Sequence, residues 1–297
     1  MYKHVRSLSR AGRAKSYCAL ACALHVELPR GRGTLASAYT QLHTATIVSN
    51  TPVNEGIYEL VLKCKRLADT IRPGEFVDIQ VPGDATHLIR IPLSYSHVMR
   101  AQHEIVIAYA AVGEGTQRLS RLQPGTPLSV IGPCGHGWEL PASSAPALLI
   151  SGGIGAPPIL ACAELLQAAH VPVQLILGAQ NKHKLWGYER AHELGISQVI
   201  VTTDDGSCGK QGFTTDAMKE LMAQHEFGSI YTCGPQVMMK AIAKEACARS
   251  IDCQVSMERM MTCGFGACAT CNVTMKDGSN KGCCMCGPVF DAKEIAW

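Results

Sequence analysis

One loop, Cys263-Gly264-Phe265-Gly266-Ala267-Cys268-Ala269-Thr270-Cys271, limits what this chain can fold around more than any other feature. Its Cys-x4-Cys-x2-Cys spacing, followed at a distance by Cys283, Cys284 and Cys286, is that of a plant-type [2Fe–2S] site. Gly264 and Gly266 let the loop wrap closely around inorganic sulfide and point backbone N–H groups at it, a path that side chains with a Cβ would obstruct. Cys-x2-Cys alone would leave open zinc or unrelated buried thiols; the four-residue gap with its two glycines favours the cluster. Nine of the fifteen cysteines fall between Cys233 and Cys286. In a small secreted chain that concentration would mean disulfides. In a chain of 297 residues with the strand–helix rhythm described next, it reads first as a metal or cluster site.

The rest of the chain is long enough for two compact domains and an appendage. From Thr44 to about Leu140 the apolar segments are short and β-rich (Thr44–Val48, Ile57–Leu62, Phe76–Val81, Ile105–Ala110, Leu128–Gly132), with Pro, Gly and Asp turns between them, which predicts a small antiparallel barrel. Pro141-Ala142-Ser143-Ser144-Ala145-Pro146 marks a boundary. Beyond it an apolar strand, Ala147–Ile150, leads through a Gly-rich turn into a helical pattern over Ile159–Ala169. Strand patterns recur at Val173–Leu177, Val199–Thr202 and Ile230–Tyr231, the alternation of a parallel doubly wound sheet. The last segment, Cys253 to Trp297, has too few apolar residues for a core of its own and must be held by something else.

Two further motifs carry chemistry. Ser151-Gly152-Gly153-Ile154-Gly155-Ala156-Pro157-Pro158 stands between a strand and a helix, where free N–H groups and the helix dipole suit a pyrophosphate; plain Gly-rich turns also occur at such places. In the barrel region Arg90-Ile91-Pro92-Leu93-Ser94, Tyr109 and Gly113-Glu114-Gly115-Thr116 combine a hydroxyl able to bond a flavin edge with a turn able to approach a diphosphate. Taken alone these are turn residues; in series with the later motifs they suggest a path from nucleotide to flavin to cluster.

Charge and hydropathy exclude other classes. Residues 1–40 hold seven Lys or Arg against one acid, so the remainder carries twenty bases against twenty-three acids and lacks the basic face of a nucleic-acid binder. No apolar run is long enough for a membrane span. His25 and Glu27 interrupt the apolar part of the amino-terminal arm, so residues 1–43 read as a disordered, solvated extension rather than an address, and the chain as cytoplasmic. No Ser/His/Asp or Cys/His constellation is placed by motif, which disfavours hydrolysis.

Arg90–Ser94, Gly113–Thr116, Gly132-Pro133-Cys134-Gly135-His136-Gly137, Gly152–Pro158, Asp205-Gly206-Ser207 and Cys233-Gly234-Pro235 resemble, in order, the motifs of the ferredoxin-reductase superfamily. Glu258-Arg259-Met260 before the cysteine loop, and Cys284-Met285-Cys286-Gly287-Pro288-Val289-Phe290 after it, are similar in particular to electron-transfer subunits of NAD-dependent dihydroorotate dehydrogenases. The similarity runs from about residue 44 to the carboxy terminus.

The resemblance implies a ferredoxin-reductase-like FAD-binding β-barrel over 44–141, a doubly wound NAD-binding α/β domain over 146–252 and a small [2Fe–2S] segment over 253–297. It implies FAD or nucleotide contacts at Arg90, Ile91, Pro92, Leu93, Ser94, Tyr109, Gly115, Thr116, Gly153, Gly155, Cys233 and Gly234. It also implies a partner, an FMN-containing catalytic subunit, in a heterotetramer with two of each. The sequence departs from the usual pattern where Ile91 precedes Pro92 and Ala110 follows Tyr109, each a place where Arg is common; Arg90, one place early, is the candidate to compensate. Spacing does not choose the fourth cluster ligand, but the family register selects Cys284, to join Cys263, Cys268 and Cys271. In an extended strand Cys283 and Cys284 would face opposite ways, and Cys286, about 7 Å along, would share the face of Cys284. A flavin and iron–sulfur subunit of a sulfite reductase, hydrogenase or ferredoxin–NADP reductase complex, or a non-catalytic zinc- or cluster-bearing subunit, are the alternatives. Lys182 and Lys184 are suggestive of a 2′-phosphate site and equally a solvated turn.

Overall fold

The computed structural model describes residues 40–83 and 89–297; the expected amino-terminal extension lies, up to residue 39, outside the described residues. Seven strands build the first sheet: β1 (Gln41–Asn54), β2 (Ile57–Lys63), β3 (Phe76–Gln80), β4 (Ile91–Ser94), β5 (His97–Met99), β6 (Glu104–Ala110) and β7 (Pro127–Cys134). Their order is β4-β3-β7-β1-β2-β6-β5 and every pairing is antiparallel. The sheet rolls until β4 comes back against β6. Inside lie Ile47, Leu60, Leu62, Val77, Ile79, Ile105 and Ile107, the alternate residues of their strands. Two short helices, α1 (Lys65–Thr70) and α2 (Glu114–Leu119), add Leu67 and Leu119 to the same core.

The first strand begins earlier than the sequence suggested. Gln41, Leu42 and His43, assigned above to the extension, pair with Gly132, Ile131 and Val130, and the His43 ring bonds the Gly132 carbonyl at 3.0 Å. A polar alternation without turn residues around it gave no signal there.

The second sheet has the order β11-β10-β9-β8-β12-β13-β16. Its parallel members are β8 (Ala147–Gly152), β9 (Val173–Ala179), β10 (Val199–Thr203), β11 (Lys210–Gln211), β12 (Ser229–Cys233) and β13 (Asp252–Ser256). Alternation along β8 sends Ala147 and Leu149 toward α3 (Ala156–Ala168) and α4 (Tyr188–Glu193). It sends Leu148 and Ile150 toward α5 (Thr214–Gln224) and α6 (Gln236–Ala248). Both faces are thus covered, as a parallel sheet requires. Strands are added to one side of β8 by β9 to β11 and to the other by β12 and β13, so the winding reverses between β8 and β12. Ligands of such sheets bind at that switch point, beyond the carboxyl ends of the strands.

The carboxy-terminal segment forms a hairpin of β14 (Asn272–Thr274) and β15 (Asn280–Gly282), one helical turn, α7 (Cys283–Cys286), and β16 (Val289–Asp291). β16 pairs antiparallel with β13. Val273, Met275, Phe290 and Ile295 join the core formed by α5, α6 and the sheet, and that core reaches the barrel at Phe76 and Cys134. This shared core supplies the support the segment lacks by itself. The barrel and the second sheet are stapled by the buried Trp138 indole, which donates to the Pro158 carbonyl at 2.9 Å, and by the Tyr231 hydroxyl, which donates to the Glu139 carbonyl at 3.0 Å.

Candidate functional site

In the cysteine loop Gly264 has φ of +73° and Gly266 of +84°, backbone that residues with a Cβ rarely adopt. The curl turns donors toward sulfur: the Ala267 amide donates to Cys263 Sγ at 3.3 Å and the Thr270 hydroxyl to Cys268 Sγ at 3.1 Å. Cys271 Sγ lies 3.4 Å from Cys284 Sγ and accepts from the Cys284 amide at 3.4 Å. The hydrogen bond from the Cys284 thiol outweighs burial and brings the Cys271 thiol down to about 6, while the same bond pushes Cys284 up, so the pair holds one proton between two sulfurs. At Cys268 burial pushes up, but the bonds from Thr270 and Cys263 win and lower the thiol to about 7. Thiols that give up protons this readily suit metal ligation. Among the described residues no three Cys, His, Asp or Glu side chains converge where one ion could sit. The Cys271–Cys284 pair and the loop cysteines Cys263 and Cys268 are the sulfurs that would hold an iron–sulfur cluster.

The extended strand expected at Cys283–Cys286 is instead the helical turn α7. Successive side chains therefore diverge by about 100° rather than 180°. Cys284 still turns to Cys271, while Cys283 Sγ faces the Met257 carbonyl at 3.9 Å. Cys286 is buried in the same turn.

A cavity of about 420 Å³ opens between β4 and β6 of the barrel and the carboxyl edge of the second sheet. Ile91, Pro92, Leu93, Ser94, Tyr109 and Thr116 line its barrel side, and Cys233 faces them from the end of β12. Tyr109 is locked in place by its hydroxyl, which donates to Asn50 Oδ1 at 2.9 Å, and by stacking on Tyr58. The Thr116 hydroxyl donates to the Gly113 carbonyl at 3.0 Å and accepts from the Gly113 amide at 3.1 Å, which closes the turn. Burial pushes the Cys233 thiol up, so it presents a neutral S–H to the cavity.

A second cavity, of about 800 Å³, lies at the switch point. Gly152 and Gly153 line it at the end of β8, Pro235 and Met238 after β12, and the turn Glu55-Gly56 reaches it from the barrel. That turn is tied down where the Glu55 amide donates to the His183 carbonyl at 3.1 Å and the Asn54 amide group to the Leu185 carbonyl. Gly155 and Gly234 do not line the cavity; they let the two turns touch, since a Cβ on Gly155 would fall 2.3 Å from the Cys233 carbonyl oxygen. Ala110, Val112 and Ile154 belong to both cavities, so the two share a wall.

Residues 258–296 match the family described as the iron-sulfur cluster binding domain of dihydroorotate dehydrogenase B, and residues 149–244 match the oxidoreductase NAD-binding domain. The dihydroorotate dehydrogenase B (NAD(+)) electron transfer subunit of Geobacillus kaustophilus is 37% identical over 254 residues, 84% of this chain and 96% of that protein. The subunit so named from Fusobacterium nucleatum is 31% identical over 261 residues, covering 86% and 98%. The chain belongs to the family of dihydroorotate dehydrogenase B electron-transfer subunits. Among solved structures, the NADH-dependent reduced ferredoxin–NADP oxidoreductase superposes with a TM-score of 0.78 at 28% identity, over 90% of this chain and 92% of that one. An Amycolatopsis cytochrome P450 reductase shares the fold at a TM-score of 0.59 and 23% identity, over 74% and 68%. No described helix of this family member is long and apolar enough to cross a membrane.

Within this electron-transfer-subunit fold Arg90 is not where the sequence reading put it. Its guanidinium turns away from the cavity and donates to the Ser129 carbonyl and hydroxyl, both at 2.9 Å, because Arg90 precedes β4 and reaches across β3 to β7. Gly115 likewise stands behind the cavity wall, against Ile91. Arg90→Ala is expected to lower stability by about 2 kcal/mol through the lost charged hydrogen bonds, read as a lower urea midpoint, with flavin content per chain unchanged; loss of flavin without loss of stability would return Arg90 to the cofactor. Residues that the sequence reading left out of the site are Met257, Glu258, Arg259 and Met261, which wall the first cavity just past β13. The signal was available: they leave the same carboxyl edge of the parallel sheet as Gly152 and Cys233. Glu258 is open to the cavity yet hemmed in by protein, and burial pushes its carboxyl up. Lys184 reaches the second cavity, where it donates to Gln180 Oε1 at 2.7 Å, and Asp204 joins it from the end of β10.

Proposed function

We propose that this chain carries electrons from the FMN of a separate dihydroorotate-oxidising subunit to NAD+, in a cytoplasmic heterotetramer with two of each subunit. The observation that supports this best is the contiguity of three sites: cysteine loop, barrel cavity and switch-point cavity. When bound, the [2Fe–2S] cluster supplies one-electron transfer, FAD joins one- to two-electron chemistry, and NAD+ accepts hydride. Cys263, Cys268, Cys271 and Cys284 would hold the cluster. Ile91 to Ser94, Tyr109 and Thr116 would hold the flavin against the barrel, with the Ser94 hydroxyl free to bond the ring edge. Gly152 and Gly153 would take the nucleotide pyrophosphate at the amino end of α3. The Cys233 S–H lines the first cavity opposite the flavin motif and would pack on the nicotinamide while staying protonated. Met260 and Phe265, 71% and 46% exposed, offer the partner an apolar patch beside the cluster loop.

The isolated full-length chain, loaded with its cofactors, is expected to reduce an artificial acceptor with NADH and to leave dihydroorotate untouched. Adding the FMN subunit is expected to start NAD+-dependent dihydroorotate oxidation. Oxidation of dihydroorotate by this chain alone would overturn the two-subunit reading.

A further inference from the structure

β3 passes beneath both the barrel cavity and the cysteine loop. Its pleat sends Val77 and Ile79 into the barrel core, and Phe76 and Asp78 the other way, toward the carboxy-terminal segment. Phe76 lines the barrel cavity. Asp78, two residues on, is 0% exposed, and neither carboxyl oxygen has a hydrogen-bond partner. What it meets is the first turn of the cysteine loop: a Cβ on Gly264 would fall 2.5 Å from Asp78 Oδ2 and 3.3 Å from Asp78 Cγ. The nearest cation does not cancel it, because the Arg90 guanidinium is held by Ser129 and reaches only the backbone carbonyl of Asp78, at 3.4 Å. Burial pushes the carboxyl up to about 7, against the pull of Arg90 and with a further push from Cys271.

A fully shielded carboxyl without partners is costly, and an apolar residue in its place would pack against the same neighbours without that cost. Hydroxyl and amide groups on β8, β9, β10, β12 and β14 are also buried without partners, but among the described residues so placed Asp78 is the carboxylate, and a local conflict that involves an ionisable acid marks a position kept for function. We propose that Asp78 is an electrostatic positioning residue of the [2Fe–2S] cluster, its carboxylate lying under the Cys263–Ala267 turn and opposing the extra electron that reduction places on the cluster. With the carboxyl ionised, reduction adds negative charge beside negative charge in a medium of low dielectric, so the cluster is held at lower potential and passes its electron on toward flavin and nucleotide more readily. The proposal rests on reading Cys263 to Cys271 as the cluster loop, and its test separates the two.

The test uses the full-length, cofactor-loaded chain and its Asp78→Asn and Asp78→Ser variants. Bound iron and acid-labile sulfide are measured per chain. The cluster midpoint is then followed by EPR-monitored redox titration well above neutral pH, with the flavin in the same sample as internal reference. Both variants are expected to retain iron and sulfide and to favour the reduced cluster at least tenfold, a positive shift of about 59 mV for a one-electron couple, with the flavin moved less. An unchanged or more negative cluster midpoint overturns the proposal, as does an equal shift of both cofactors. Loss of iron from both variants, with the native chain loaded, overturns it too, since Asp78 would then serve assembly alone. A native chain that binds no iron instead removes the cluster reading itself.

Discussion

Cys284→Ser is expected to strip the chain of iron and acid-labile sulfide, while Cys283→Ser keeps both. The difference follows from α7, which turns the Cys284 sulfur to within 3.4 Å of Cys271 and leaves Cys283 against the Met257 carbonyl. A serine hydroxyl is a poor substitute for the soft thiolate an iron–sulfur cluster selects. Electron delivery from the partner subunit should fall by more than about 100-fold, beyond what loss of an outer-sphere contact costs. Every ligand sulfur must be deprotonated to bind iron, and the Cys271 thiol takes up its proton as pH falls through about 6, so cluster incorporation is expected to slow below that pH. Iron analysis of the two variants side by side decides the assignment. An iron-free Cys283→Ser beside a fully loaded Cys284→Ser would reverse it.

Gly155→Ala is expected to be the most damaging small substitution in the second sheet. The added methyl would lie 2.3 Å from the Cys233 carbonyl oxygen and 2.5 Å from its carbon, so backbone meets backbone and no side-chain tip can swing aside. Overpacking of this kind costs about 3 kcal/mol or more, and relief requires the turns after β8 and β12 to part. Those turns are the two sides of the switch point, so KM for NADH is expected to rise together with a fall in the urea midpoint. Gly113→Ala, where nothing lies within 4 Å of the added carbon, serves as the control and should change stability by less than about 1 kcal/mol. A native midpoint and KM in Gly155→Ala would show that the contact between the turns does not support nucleotide binding.

The cysteine loop and the change of rhythm near residue 141 were legible because each is local: metal-ligand spacing and strand–helix alternation are written over short stretches of chain. β4 and β5, with four and three residues, are too short to show a period, so the strand that carries Pro92 to Ser94 was found only as a motif. Asp78 carried no signal in the sequence for a different reason. In Phe76-Val77-Asp78-Ile79-Gln80 a polar residue on the alternate face looks like the wet side of a barrel strand. That face is covered by a loop from the far end of the chain, and no pattern within β3 reports it. Arg90 follows the same logic: its sequence neighbours belong to the cavity, but the direction of its side chain depends on Ser129, a strand away in space. α7 was hidden because Cys-Cys-Met-Cys carries neither capping signal nor period, and its shape follows from the packing of Cys283, Cys284 and Met285 into the shared core.

Anaerobic titration of the cofactor-loaded chain with NADH, followed by visible absorption and EPR together, tests the central claim most directly. If nucleotide, flavin and cluster form one path, bleaching of the flavin band should be accompanied by the EPR signal of a reduced [2Fe–2S] cluster. Uptake should saturate at about three electrons per chain, two on the flavin and one on the cluster. A flavin that bleaches while the iron stays EPR-silent under reduction by both NADH and dithionite would contradict it, as would a chain that binds zinc and no iron.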